Sequence, residues 1–479
     1  MVHSKFNGND HLYMQVAEGL EKMIAEEVLL IGDKLPSIRV LSEENGISMG
    51  TAFQAYYHLE AKGLIESRPK SGYYVRFNHK RFPALPKMIP TDSLSHEVSV
   101  KDMITSIYSD ISSGDVINFA LAVPDISILP AAKITKSVMY ALRNSKDHCI
   151  GYEQTQGNFE LRKQIAKLSF NWGGKIKPDE VVVTSGCLEA ITLCLKAVTK
   201  YGDTVAVECP TYFGIFQAIE NMGLKVVEIS SDPITGPDLD SLERTIKKFP
   251  IKACVFIPNY NNPMGSCMPD DQKKKLVGII TKNNIPLIED DIYGELYFGK
   301  DRPRTCKYFD TKGLVMHCSS LSKSLTPGYR IGWALPGKFI DEVKQMKRIH
   351  NISCPTITQA AIAHFLQHGR YEYHLKNLRK ALYTQGLRYM QAVMDHFPGD
   401  TKVSRPKGGF ILWVELNKKV DTFKLRTEAM KHKISIVPGR IFSVSANYSN
   451  CIRLSFGKPF NEDAEYGLMM LGKLIRKMM

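Results

Sequence analysis

The stretch Ser319-Ser320-Leu321-Ser322-Lys323-Ser324-Leu325-Thr326-Pro327-Gly328-Tyr329-Arg330-Ile331-Gly332-Trp333 decides how this chain is read. A lone lysine is ordinarily a solvated surface charge. Here Lys323 is enclosed by hydroxyl residues, an arginine stands seven positions on, and a Pro-Gly turn lies between them. An amine in that setting suits a Schiff base with a carbonyl compound, while the hydroxyls and the guanidinium hold a phosphate on the same ligand.

Around this stretch, from about residue 116 onward, short β-rich runs alternate with helix-compatible segments. The runs are 181–183, 204–207, 225–229, 253–257, 286–289 and 314–317. Such alternation predicts a largely parallel sheet with helices on both faces. Ligands in that architecture gather at the carboxyl ends of strands, and the polar motifs fall there. Thr184-Ser185-Gly186-Cys187-Leu188 leads from a strand into a helix, offering backbone N–H groups to a phosphate. Tyr212, Asn262, Asp290 and Tyr293 each follow a strand, and Arg453 lies in Ile452-Arg453-Leu454-Ser455-Phe456 near the end.

In this order the segments resemble the fold-type I aminotransferases over roughly residues 116–479. The resemblance implies an α/β domain with a large pyridoxal phosphate (PLP) lobe and a small lobe. It implies that Lys323 bonds PLP, that Ser320 and Arg330 bind the phosphate with Ser322 nearby, and that Gly186, Cys187 and Leu188 cradle it. Asp290 then faces the pyridine nitrogen, Asn262 and Tyr293 the ring hydroxyl, and Tyr212 the ring face. Tyr152 matches a tyrosine that reaches the phosphate of a neighbouring subunit, which implies a homodimer with shared sites. Arg453 matches the arginine that takes a ligand carboxylate as a fork. One departure lies at Leu121-Ala122-Val123-Pro124-Asp125, where a glycine commonly precedes the proline of a loop that closes on substrate.

The first eighty residues have a different texture. Leu12, Val16, Leu20, Met23, Ile24 and Val28 recur at helical spacing, predicting a helix over 11–30. Ser37 caps a short helix stopped by Asn45-Gly46, and Ser48 caps a third with Ala52, Phe53, Tyr56 and Leu59 on one face. Runs 64–68 and 73–76 flank Pro69-Lys70-Ser71-Gly72 and predict a hairpin. Together these predict an α+β winged helix-turn-helix whose Ser37, Arg39, Ser48, Thr51, Gln54, Lys70 and Ser71 reach double-stranded DNA. Leu35-Pro36-Ser37-Ile38-Arg39, the Ser48/Thr51 pair, Ala55-Tyr56 and Ser71-Gly72-Tyr73-Tyr74-Val75 resemble GntR-type DNA-binding domains. Met49-Gly50 departs from them, since an arginine usually follows the serine.

The domains expected are 1–77 for the DNA reader, 78–115 for a linker and 116–479 for the PLP-binding effector domain. Pro83, Pro86 and Pro90 break the linker, and Val98 to Ile111 suits one helix. If extended, its roughly forty residues reach more than ~100 Å, enough to place the reader over a partner subunit, with domains swapped between subunits. A GntR-type reader joined in this way to an aminotransferase-like domain resembles the MocR-type regulators. That resemblance implies a PLP-dependent transcription regulator that senses PLP, or a small amine or amino acid, through its aldimine. A catalytically active aminotransferase carrying a DNA-binding domain is the alternative.

Composition agrees with a globular protein: 44% apolar and 23% charged residues among 479. The chain has no run of ~18 apolar residues and starts with polar residues, so a cytoplasmic location without membrane contact is expected. Ten cysteines without a C-x-x-C pair predict buried thiols and no metal site. Net charge is +14, yet residues 1–90 carry only +1 of it, so the basic excess belongs to the large domain.

Overall fold

The computed structural model describes residues 12–26, 28–68, 71–76, 83–91, 94–98, 116–144, 150–369, 371–445 and 447–479. They divide into two compact units, one of Met1–Pro83 with Gly386–Asp395, the other of Ala84–Gln385 with His396–Met479.

In the first unit, α1 (Leu12–Ala25), α2 (Ile38–Asn45) and α3 (Met49–Ala61) precede a hairpin of β1 (Ile65–Arg68) and β2 (Gly72–Val75). Local chemistry sets the helix ends. Ser37 Oγ accepts from Val40 N at 3.2 Å, Ser48 Oγ accepts from Thr51 N at 3.0 Å, and Gly46 closes α2 at φ 61°. Val16, Leu20, Leu41, Ala52, Ala55, Tyr56 and Leu59 form the core. Two expectations change. The first helix stops at Ala25, because Leu29 N turns back to Met23 O and Leu30 N bonds Asp33 Oδ2 at 2.9 Å, leaving Val28 exposed. Phe53 also leaves the core, since the stripe 52, 55, 56, 59 is complete without it.

The second unit is built on a nine-stranded sheet. Its strands are β3 (His96–Glu97), β5 (Val182–Thr184), β6 (Thr204–Cys209), β7 (Lys225–Asp232), β8 (Gly236–Pro237), β9 (Ile251–Phe256), β10 (Leu287–Asp290), β11 (Val315–Ser320) and β12 (Gly332–Leu335). The order is β3-β7-β6-β9-β10-β11-β12-β5, with β8 paired to β7. All six predicted runs are strands, with ends shifted by no more than three residues. Strands β7, β6, β9, β10 and β11 run parallel, and their apolar side chains are buried on both faces. β12, which the sequence pattern did not announce, is antiparallel to β11, pairing Ser320 with Gly332. The Lys323 segment is therefore the connection of a strand pair, with both ends held by the sheet.

A smaller sheet, β13 (Lys402–Val403), β14 (Ile411–Glu415), β17 (Cys451–Ser455) and β16 (Val437–Pro438) in that order, carries Arg453 on an inner strand. β4 (Ile117–Asn118) pairs with β15 (Ile434–Ser435). The described parts of the linker lie along the second unit. β3 adds to the edge of β7, Thr91 N donates to Ser230 Oγ at 2.8 Å, and Val403 N donates to Ala84 O at 3.0 Å. The helix expected over 98–111 falls on residues 99–111, outside those described, as do Lys70 and Cys149. Of the other nine cysteines, eight are buried and Cys267 is half-buried. Among the described residues no helix is long and apolar enough to cross a membrane.

Candidate functional site

A cavity of about 310 Å³ opens at the carboxyl ends of the parallel strands. Cys187 and Leu188 open the helix that follows β5, while Tyr212 comes from the loop after β6 and Asn262 from that after β9. Asp290 ends β10, Ser322, Lys323 and Arg330 follow β11, and Arg453 enters from the small sheet; all of these line the cavity, with Tyr293. Three predicted residues stand off its wall. Gly186 lies behind it and Ser320 Oγ is taken by Ser322 N at 3.1 Å. Tyr152 sits on the surface, 87% exposed.

Gly186 has φ 97° and begins the helix Cys187–Val198 without a capping side chain, so the first turn's N–H groups are left for an anion. A Cβ on Gly186 would fall 2.3 Å from Arg330 Nη2. That close approach lets Arg330 bond Ser185 O at 3.0 Å and Ser322 Oγ at 3.1 Å, which aims a guanidinium at the same helix end.

Asp290 is buried and receives the Cys187 thiol (3.2 Å) and Ile292 N (3.1 Å), both on Oδ1. Burial pushes its carboxyl up to about 6, although these two donors oppose the shift. A carboxylate at this depth calls for a cationic partner, which a protonated ring nitrogen supplies. Burial likewise raises Tyr293 and holds Cys187 as a thiol. Burial, then the charges of Arg453 and Arg330, bring the Lys323 amine down to about 8. The residues present therefore fit PLP: an amine for its aldehyde, a carboxylate for its nitrogen, and a cation with a helix terminus for its phosphate.

Three features of the site were not foreseen. The turn Ala120-Leu121-Ala122 covers the cavity, with Ala122 O accepting from Lys323 Nζ and Ala120 O from Arg453 Nη2. The resemblance implied a loop that closes on substrate here, but not these two bonds to its carbonyl oxygens. Glu208 Oε1 accepts from Ile257 N, and burial raises its carboxyl to about 8. A glutamate closing the apolar run Thr204–Cys209 was its visible signal. Asp291 bonds Arg302 Nη2 at 2.6 Å, Asn259 Nδ2 at 2.8 Å and His317 Nε2 at 3.2 Å. Burial alone would raise this carboxyl, but Arg302 and His317 outweigh it and hold it below the usual carboxylate range. No sequence pattern announced Arg302.

In the first unit, Ser37, Arg39, Ser48 and Gln54 are exposed and Thr51 is half-buried. Thr51 Oγ1 lies 2.8 Å from Ser48 Oγ, Arg39 Nε bonds Glu43 Oε1 at 2.9 Å, and Ser71 Oγ lies 2.7 Å from Tyr74 OH.

Residues 115–468 match the aminotransferase class I and II family, and residues 12–75 match the gntR family of bacterial regulatory proteins. Two relatives from Escherichia coli strain K12 are similar throughout. They are the uncharacterized HTH-type transcriptional regulators YjiR, 35% identical over 98% of this chain and 99% of its own, and YdcR, 36% identical over 97% and 99%. Among solved structures, the α-aminoadipate aminotransferase LysN from Thermus thermophilus, complexed with N-(5'-phosphopyridoxyl)-L-leucine, is 26% identical. It superposes with a TM-score of 0.72, covering 80% of this chain and 99% of its own. The chain thus belongs to the aminotransferase class I and II family and, with its gntR-family N-terminal domain, to the MocR-type group of GntR regulators.

Proposed function

We propose that this chain is a cytoplasmic transcription regulator that binds operator DNA through its first unit and holds PLP in its second. One observation carries the reading: Lys323, Asp290, Arg330 and Arg453 converge on one cavity in a chain that also has a gntR-family domain. PLP, when bound, supplies an aldehyde for an amine and a ring that withdraws electrons from the attached group. On the protein side, Lys323 offers a largely desolvated Nζ. Asp290 keeps the ring nitrogen protonated, Asn262 and Tyr293 hold the ring hydroxyl, and Tyr212 covers the ring face. Arg330, Ser322 and the N–H groups after Gly186 hold the phosphate, with Ser320 supporting Ser322 from behind. Arg453, 2% exposed, is the fork for an effector carboxylate.

The effector is an amine or amino acid that exchanges at Lys323, or PLP itself. Either shifts DNA binding only by preferring one conformation of the chain. The working unit is a homodimer in which Tyr152 reaches the partner's phosphate site. Lys323→Ala should abolish the absorbance of bound PLP and, with it, any effect of amines on DNA binding. Amine-responsive DNA binding that survives in the variant would remove Lys323 from the reading.

The site also favours a second reading, a working aminotransferase, because the groups that transamination requires share one cavity. Purified protein given PLP, amino donors and a 2-oxo acid decides it, since multiple turnover at ~1–1,000 per second would make the chain an enzyme.

A further inference from the structure

The outward face of α3 is apolar where a DNA reader would be expected to carry arginine. Met49, Phe53 and Tyr57 follow one another at four-residue intervals and are 58%, 48% and 65% exposed. Gln54 is exposed beside Phe53. Three basic groups of the unit, Lys62, Arg39 and Arg68, are paired with carboxylates. Lys62 at its end bonds Glu21 at 2.7 Å, and Arg39 bonds Glu43. Arg68 pairs with Glu66 at 2.7 Å and lies over the Tyr74 ring.

Gly50 adds to the pattern. A Cβ there would meet only Ser48 Oγ at 3.6 Å, an ordinary contact, so packing does not demand glycine. Glycine is a poor helix former. Its presence leaves bare backbone between Met49 and Gln54, where another surface can approach closely.

Bases differ in what they show in the major groove. Guanine is read by paired donors from arginine or lysine, adenine by glutamine or asparagine, and thymine by apolar contact with its methyl group. We infer that α3 reads A·T pairs, with Met49 and Phe53 packed on thymine methyls and Gln54 bonded to an adenine edge. The inference rests on the DNA-binding reading of the first unit. Hydroxyl caps at the N-termini of both α2 and α3, suited to phosphates, favour DNA over a protein partner on this face.

The test uses the full chain loaded with PLP. Selection from random-sequence duplexes should enrich sites with A·T pairs in each half-site. The enriched duplex is then resynthesised with single thymines replaced by uracil, which removes only the methyl. Each contacted position should weaken binding about fourfold, the equivalent of one buried methyl. Met49→Ala and Phe53→Ala, both at exposed positions, should bring the thymine-to-uracil ratio to about one at their own positions. Half-sites of G·C pairs, or equal binding of thymine and uracil duplexes by the unaltered chain, would overturn the inference. Enrichment of no sequence at all would defeat the DNA-binding reading, and the inference with it.

Discussion

Burial beside Arg453 and Arg330 lowers the Lys323 amine from 10.5 to about 8, so a far larger share of it is uncharged near neutral pH than for an ordinary lysine. Only a neutral amine attacks an aldehyde. Loading of PLP onto the cofactor-free chain should therefore speed up with rising pH and level off just above pH 8. Stopped-flow absorbance reads this directly, and a rate still climbing tenfold per pH unit at pH 10 would contradict it. The same shift has a sign for stability. Between about pH 8 and 10.5 the folded chain holds fewer protons on this amine than the unfolded chain, so its cost is full below 8 and fades as pH approaches 10.5. At this scale the sequence was informative, because Lys323, Asp290, Asn262 and Arg330 each sit beside a turn or strand end with its own pattern. Arg302 had no such mark, since its role comes from a fold that brings Asp291 and Glu295 to it from outside its local sequence.

Caps rather than core residues give α3 an experiment of its own. Ser48→Ala removes the acceptor of Thr51 N and should cost about 1 kcal/mol in the unfolding of the first unit, measured by urea titration. Ser48→Asp keeps a capping oxygen, and should hold stability while weakening DNA binding by placing an anion against phosphate. If DNA affinity survives the aspartate, the N-terminus of α3 does not face the DNA. Capping serines and glycines made α2 and α3 legible, because those signals act within one turn. The overlong first helix shows the limit: Val28 keeps the period, but the turn made by Leu29 and Leu30 depends on Asp33. β12 was missed for a related reason. Gly332-Trp333-Ala334-Leu335 has no period of its own and becomes a strand because β11 and β5 flank it.

Over the whole molecule, the proposed homodimer can be tested on exposed apolar residues of the second unit. Thr356 Oγ1 donates to Gly151 O at 3.1 Å, which sets exposed Ile150 and Tyr152 beside the turn carrying exposed Ile352. Ile352→Lys should move the chain toward monomer in sedimentation and weaken PLP retention if the partner's Tyr152 completes the phosphate site. Tyr152→Phe should weaken retention while leaving the dimer intact. A monomer that keeps PLP as tightly as the unaltered chain would mean that each site is complete in itself.

The turn Ala120-Leu121-Ala122 gives the cavity an occupant of its own. Its two carbonyl oxygens already answer Lys323 and Arg453, so a carboxylate entering the cavity does not meet bare charge but competes with the backbone for the fork. The affinity measured for any effector is then a difference between two occupants of the same guanidinium. That turn follows β4, which pairs with β15. Whatever shifts β4 changes the strength of the competitor, and by reciprocity an effector that wins the fork changes the hold on β4.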